Sequence, residues 1–125
     1  MYFDAIENGK YECFVNEGTR LPMMFMDDAI RATLELMDAP LNSLNYHSNY
    51  NLSSMSFSAK ELADEISSHV DFECTYKPDY RQDIANTWPI SINDEAARND
   101  WKWEPKFDIT KMTEEMIRNL RRLNE

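Results

Sequence analysis

The chain has 125 residues, 42% of them hydrophobic and 29% charged. That is the composition of a globular protein long enough for one domain with a hydrophobic core, and it excludes a disordered chain. Thirteen Lys and Arg against 23 Asp and Glu give a net charge of -10, which opposes binding to nucleic acid over any broad surface.

In chain order, Tyr2 to Asn8 has helical character and Gly9 is placed to end it. Tyr11 to Val15 alternates like a short strand, and Asn16-Glu17-Gly18 forms the turn after it. Met23 to Met26 is a short apolar run that suits a buried strand. Asp27 is placed to cap a helix whose apolar face is Ile30, Thr33, Leu34 and Met37, and Pro40 ends that helix. Residues 41 to 49 are polar and loop-like, and Tyr50-Asn51-Leu52 begins another extended piece. Ser58-Ala59-Lys60-Glu61 is a capping box, with Phe57 and Leu62 at the positions of a hydrophobic staple and Leu62, Ile66 and Val70 along one face. Phe72 to Tyr76 alternates as a strand that Pro78 breaks. Arg81 to Trp88 reads as a short helix before Pro89, and Ser91-Ile92-Asn93-Asp94 starts another that ends near Trp101. Asp108 caps a final helix with Ile109, Met112, Met116 and Leu120 in register. Short strands alternating with helices make this a mixed α/β chain. The strands are too few for a complete doubly wound sheet, so the chain is expected to be a lobe that packs on something else.

Few constellations carry chemistry. Gly9 and Gly18 are the only glycines, where about 7% usage would give roughly nine. Both G-x-G-x-x-G and G-x-x-x-x-G-K-[ST] are therefore excluded. Cys13, Cys74, His47 and His69 show no metal-ligand spacing, so no metal site is expected. No apolar run approaches a membrane span and no leader is evident, so the chain reads as intracellular. No tyrosine is followed four residues later by lysine, and no serine sits in G-x-S-x-G, so no catalytic residue is assigned.

Asp27-Asp28 has two readings: a paired-carboxylate or Mg²⁺ site, or, with better support, two acids offsetting the positive N-terminal end of a helix. Arg118, Arg121 and Arg122 suit the opposite end of a helix in the same way. The stretch from Asp79 to Trp88 is more informative. Helical spacing puts Arg81, Ile84, Ala85 and Trp88 on one face, where a guanidinium beside an indole would hold a carboxylate or phosphate against an apolar wall. The same spacing fits core packing, with Arg81 reaching solvent along its stem. Trp101 and Trp103 are placed to anchor the chain after a helix, and the eight methionines fit core filling.

Two longer strings carry a resemblance. Leu21-Pro22-Met23-Met24-Phe25-Met26-Asp27-Asp28, with Tyr50-Asn51-Leu52 and Met55-Ser56-Phe57, is similar to the C-terminal part of the NAD-dependent L-threonine 3-dehydrogenases of the extended short-chain dehydrogenase type. Tyr76-Lys77-Pro78-Asp79-Tyr80-Arg81-Gln82, Ile84-Ala85, Trp88-Pro89 and Asp100-Trp101 with Trp103 continue the match, which runs from about Tyr2 to Leu120. The patterns L-P-M-M-x-x-D-D and R-Q-x-I-A-x-x-W-P distinguish it from the generic sugar-nucleotide epimerases.

The resemblance implies that residues 1–125 are the C-terminal substrate-binding lobe of such an enzyme, without the main Rossmann sheet, the NAD-binding domain or the catalytic Tyr-x-x-x-Lys. Family members oxidise the 3-hydroxyl of L-threonine with NAD to 2-amino-3-oxobutyrate. The isolated chain is expected neither to bind NAD nor to turn over, and its partner would be the missing N-terminal half, with a homodimer possible in the complete enzyme. By the same resemblance Trp88 is a wall of the threonine pocket, and Arg81 lies where sugar-nucleotide enzymes place an anion-binding arginine. Location would be cytoplasmic in a bacterium and mitochondrial in a eukaryote. Tyr50-Asn51-Leu52 would return to the nucleotide-binding sheet and present an unpaired edge in its absence. Lys102 stands where the family usually has glycine, Asn93 where it usually has Asp, and Val70-Asp71 where a proline is common. Competing readings are a stand-alone acidic binding module and a fragment of a nucleotide-sugar epimerase or dehydratase.

Overall fold

The computed structural model describes residues 1–123. Helix α1 (Tyr2–Glu7) gives way at Gly9, whose φ of 65° is a left-handed value that disfavours a side chain. A Cβ there would also lie 3.3 Å from the Asp71 carbonyl oxygen. The turn feeds strand β1 (Lys10–Cys13), which pairs in parallel with β4 (Glu73–Tyr76), Lys10 opposite Glu73 and Cys13 opposite Tyr76. Strand β2 (Arg20–Met23) pairs antiparallel with β3 (Met55–Ser58). The described residues therefore hold two separate two-stranded sheets in a mixed α/β lobe.

Helix α3 (Ala59–Ser67) starts on a complete capping box. Ser58 Oγ accepts from the Glu61 backbone N–H at 3.1 Å, and Glu61 Oε2 accepts from the Ser58 backbone N–H at 2.7 Å. The pair satisfies two N-terminal donors and contributes about 1 kcal/mol. Its buried face, Ala63 and Ile66, meets Ala5 and Phe72 in one core cluster. Helix α6 (Ile109–Leu123) packs on α1 and α3 through Met112, Thr113 and Ile117, and Tyr2 Oη lies 2.8 Å from Thr113 Oγ1. As expected, Asp108 caps α6, accepting from the Lys111 backbone N–H at 2.8 Å. No described helix is long and apolar enough to cross a membrane.

A second cluster joins Ala32 of helix α2 (Met26–Asp38), Ala97 of helix α5 (Glu95–Trp101) and Trp103. Trp103 is fully buried, donates its indole N–H to the Ser53 carbonyl at 3.1 Å and packs under the Arg31 guanidinium.

Several expectations are corrected. The strand expected at 23–26 lies three residues earlier, because its register is set by β3 and Met26 already opens α2. Strand β1 ends at Cys13 rather than Val15, and the helix expected to reach Trp88 ends at Asn86. Tyr50-Asn51-Leu52 is not a strand; Tyr50 and Leu52 instead pack against the Ala32–Ala97–Trp103 cluster. Phe25, not Asp27, is the N-cap of α2. Most consequential, the apolar stripe of α2 faces out: Met26 is 64% exposed, and Ile30, Leu34 and Met37 are exposed with it. Asp28 and Ala32 are the residues it buries.

Helix α5 ends at Lys102, which has φ 63°. A left-handed C-terminal position suits glycine, because a Cβ there crowds the backbone. Lys102→Gly should therefore raise stability by about 1 kcal/mol in a denaturant melt. An unchanged or lower midpoint would show that the Lys102 side chain, which donates to the Asn99 carbonyl, offsets the strain.

Candidate functional site

The candidate residues lie where β4 leaves its sheet. Beyond the ladder, Lys77 N–H donates to the Cys13 carbonyl at 2.8 Å and Asp79 N–H to the Phe14 carbonyl at 3.2 Å, so Pro78 is bridged rather than frayed. Asp79 then turns the chain into α4 (Arg81–Asn86), its Oδ1 accepting from the Arg81 backbone N–H at 2.9 Å. This is the short polar side chain satisfying a helix-start donor.

The same carboxylate takes the Arg81 side chain. Arg81 Nε donates to Oδ1 and Oδ2 at 3.0 and 3.1 Å, and Nη2 donates to Oδ2 at 2.6 Å. The guanidinium lies over the Phe14 ring at 3.5 Å, with the Tyr80 ring 6.0 Å away. The hydrogen bonds to Asp79 raise the Arg81 pKa, and those from Arg81 lower that of Asp79. Gln82 ties the start of α4 to the turn after β1: its Oε1 accepts from Asn16 N–H at 2.6 Å and from Thr19 Oγ1 at 3.1 Å.

Trp88 follows two residues after α4 and is 57% exposed. Its backbone N–H donates to the Ala85 carbonyl, and two residues later the Ile90 carbonyl accepts from Ser56 Oγ at 2.5 Å. The loop is thus pinned at both ends, to α4 and to β3. Because α4 ends at Asn86, the face expected to unite Arg81 with Trp88 is interrupted. Arg81 is already holding a carboxylate from its own chain. Tyr80, Ile84, Trp88 and Ile90 instead make a run of exposed apolar side chains.

Asp28 is not a surface cap. It is fully buried and accepts from Lys106 N–H at 3.0 Å, Phe107 N–H at 3.0 Å and Arg31 Nη2 at 2.8 Å. Burial alone would raise its pKa; the hydrogen bonds from Arg31, Phe107 and Lys106 outweigh that and hold it below the usual carboxylate value. The result is a cross-link between α2 and the segment before α6.

Sequence reasoning missed an open polar cleft of about 750 Å³, lined by Asn45, Tyr46, Asn51, Asn93, Asn99 and Asp100 among others. At its edge the Asp100 carboxylate accepts from Tyr50 Oη and from Asn45 Nδ2, which lowers its pKa. Among the described residues no group of His, Cys, Asp and Glu is arranged to hold a metal ion. Gly9 and Gly18 each serve a turn leading toward a strand, and neither opens a helix onto a strand end in the way a glycine-rich dinucleotide loop does.

No family model matches the chain. Over 119 residues it is 44% identical to the mitochondrial L-threonine 3-dehydrogenase of Sus scrofa, covering 94% of this chain and 32% of that protein. It is 41% identical to an uncharacterized epimerase/dehydratase of Staphylococcus aureus (strain MRSA252), covering 94% of this chain and 37% of that protein. Among solved structures, a monomeric L-threonine 3-dehydrogenase from a metagenome database, in its apo form, superposes with a TM-score of 0.95 at 86% identity. The match covers all of this chain and 41% of that one. The chain thus spans about a third of the length of the curated relatives it matches.

Proposed function

We infer that this chain, a relative of the L-threonine 3-dehydrogenases of the extended short-chain dehydrogenase type over part of their length, forms the substrate-side portion of such an enzyme. The observation that carries this reading is the 86% identity, over the whole chain, to a protein described as an L-threonine 3-dehydrogenase. The remaining length of that protein would supply NAD binding and the catalytic groups, and NAD would accept hydride from the 3-hydroxyl of L-threonine there.

Trp88 is the residue of this chain proposed to meet substrate. Pinned between Ala85 and the Ser56–Ile90 hydrogen bond, its indole offers an apolar wall for the threonine methyl group and keeps water from the reacting carbon. The exposed stripe of α2 supports a portion over a stand-alone module, since a row of Met26, Ile30, Leu34 and Met37 in water asks for cover. A single-subunit assembly is favoured over the homodimer, because the 86% identical protein is described as monomeric. Alone, the chain is proposed to be inactive. The test is Trp88→Ala in this chain joined behind the N-terminal portion of that relative. The variant should lower kcat/KM for L-threonine by roughly tenfold or more, chiefly through KM. An unchanged kcat/KM would remove Trp88 from the pocket.

A further inference from the structure

Arg81 is the cation at the head of α4, and one edge of its fork is occupied from within. Asp79 engages Nε and Nη2 with both carboxylate oxygens. Phe14 covers one face of the guanidinium at 3.5 Å, and Tyr80 stands at its flank. Asp79 takes the Nε–Nη2 edge, and an incoming phosphate or carboxylate would find the other edge, Nη1 and the second N–H of Nη2, without a partner among the described residues. It would have to approach beside the negative charge of Asp79, a few ångströms away, where like charges repel appreciably even near a protein surface. Both partners are firmly ionised near neutral pH, Arg81 raised and Asp79 lowered by their mutual hydrogen bonds, so the pair does not open by titration in that range.

We propose that Asp79 is a specificity-determining residue, an internal carboxylate that occupies one edge of Arg81, offsets its charge against external phosphate-type anions and holds the guanidinium as a brace for the start of α4. Its consequence is an arginine at the head of α4 that disfavours pyrophosphate-bearing ligands while remaining in the chain. The proposal concerns this chain's own ion pair and does not depend on the threonine reading.

The test uses inorganic pyrophosphate as probe, titrated by calorimetry into the chain. Asp79→Asn keeps an oxygen for the Arg81 backbone N–H and removes the charge. It should bind pyrophosphate roughly tenfold more tightly than the unmodified chain, and the gain should vanish in Asp79→Asn combined with Arg81→Gln. The Arg81 Nε–Hε resonance, identified by its loss in Arg81→Gln, should shift with pyrophosphate only in the Asp79 variant. If that variant does not fold, Asp79→Ser carries the same comparison. Equal binding with and without Asp79, or a gain that survives the loss of Arg81, would overturn the proposal. Failure of the threonine reading would show instead as an inactive joined enzyme, which leaves this titration unaffected.

Discussion

Replacing Asp28 with Ala is expected to cost about 3–5 kcal/mol of stability, the range for removing one partner of a buried ion pair. The change strips the acceptor from the Lys106 and Phe107 backbone N–H groups and from Arg31 at once. Arg31 keeps Glu35 and the Glu104 carbonyl as partners, but the two backbone donors lose the acceptor they have. The damage should center on the Ala32–Ala97–Trp103 cluster, since Arg31 lies over the Trp103 ring at 4.7 Å. A urea melt followed by tryptophan fluorescence measures the loss, and a change within about 0.5 kcal/mol would show the cross-link to be dispensable. The pH dependence has a definite sign. The folded-state pKa of Asp28 is below its unfolded value, so its contribution is complete above the unfolded pKa, near 4. It is lost as pH falls through the lower folded value. Asp28→Asn should therefore show a shallower fall in stability under acid than the unmodified chain.

What could be read from the sequence was what is local. Helix α3 was legible because Ser58 and Glu61 lie three residues apart and satisfy each other's donors. Asp108 at the start of α6 and Gly9 after α1 were legible for the same reason, whereas the left-handed φ at Lys102 was signalled only by the resemblance, which has glycine there. Asp28 was not, because the donors that define it sit 78 and 79 positions away. Strand β2 was misplaced because its partner β3 is fixed by long-range pairing that periodicity cannot reveal.

The Asp79–Arg81 pair leaves no mark in helical periodicity. Helical-face reasoning counts three and four residues ahead, whereas this carboxylate lies two residues behind, outside the helix, where it serves the helix start and the guanidinium together. Asp79 thus holds Arg81 at the head of α4, and the exposed Trp88 indole follows two residues after the helix ends.

The stripe on α2 shows where periodicity stops. Ile30, Thr33, Leu34 and Met37 share one face by their spacing, but that spacing says nothing about what lies opposite. In this lobe the helix instead buries its small and charged side, Ala32 and Asp28, against α5 and the Lys106–Phe107 backbone. The outward stripe is the feature that a larger enzyme would explain.

The central claim, that this chain is the substrate-side portion of a threonine-oxidising enzyme, is tested by one assay of NADH formation from L-threonine. It compares the chain alone with the chain joined behind the N-terminal portion of its 86% identical relative. The account predicts no threonine-dependent NADH from the chain alone and clear turnover from the joined protein. Turnover by the isolated chain, or a folded joined protein that does not oxidise threonine, would contradict it.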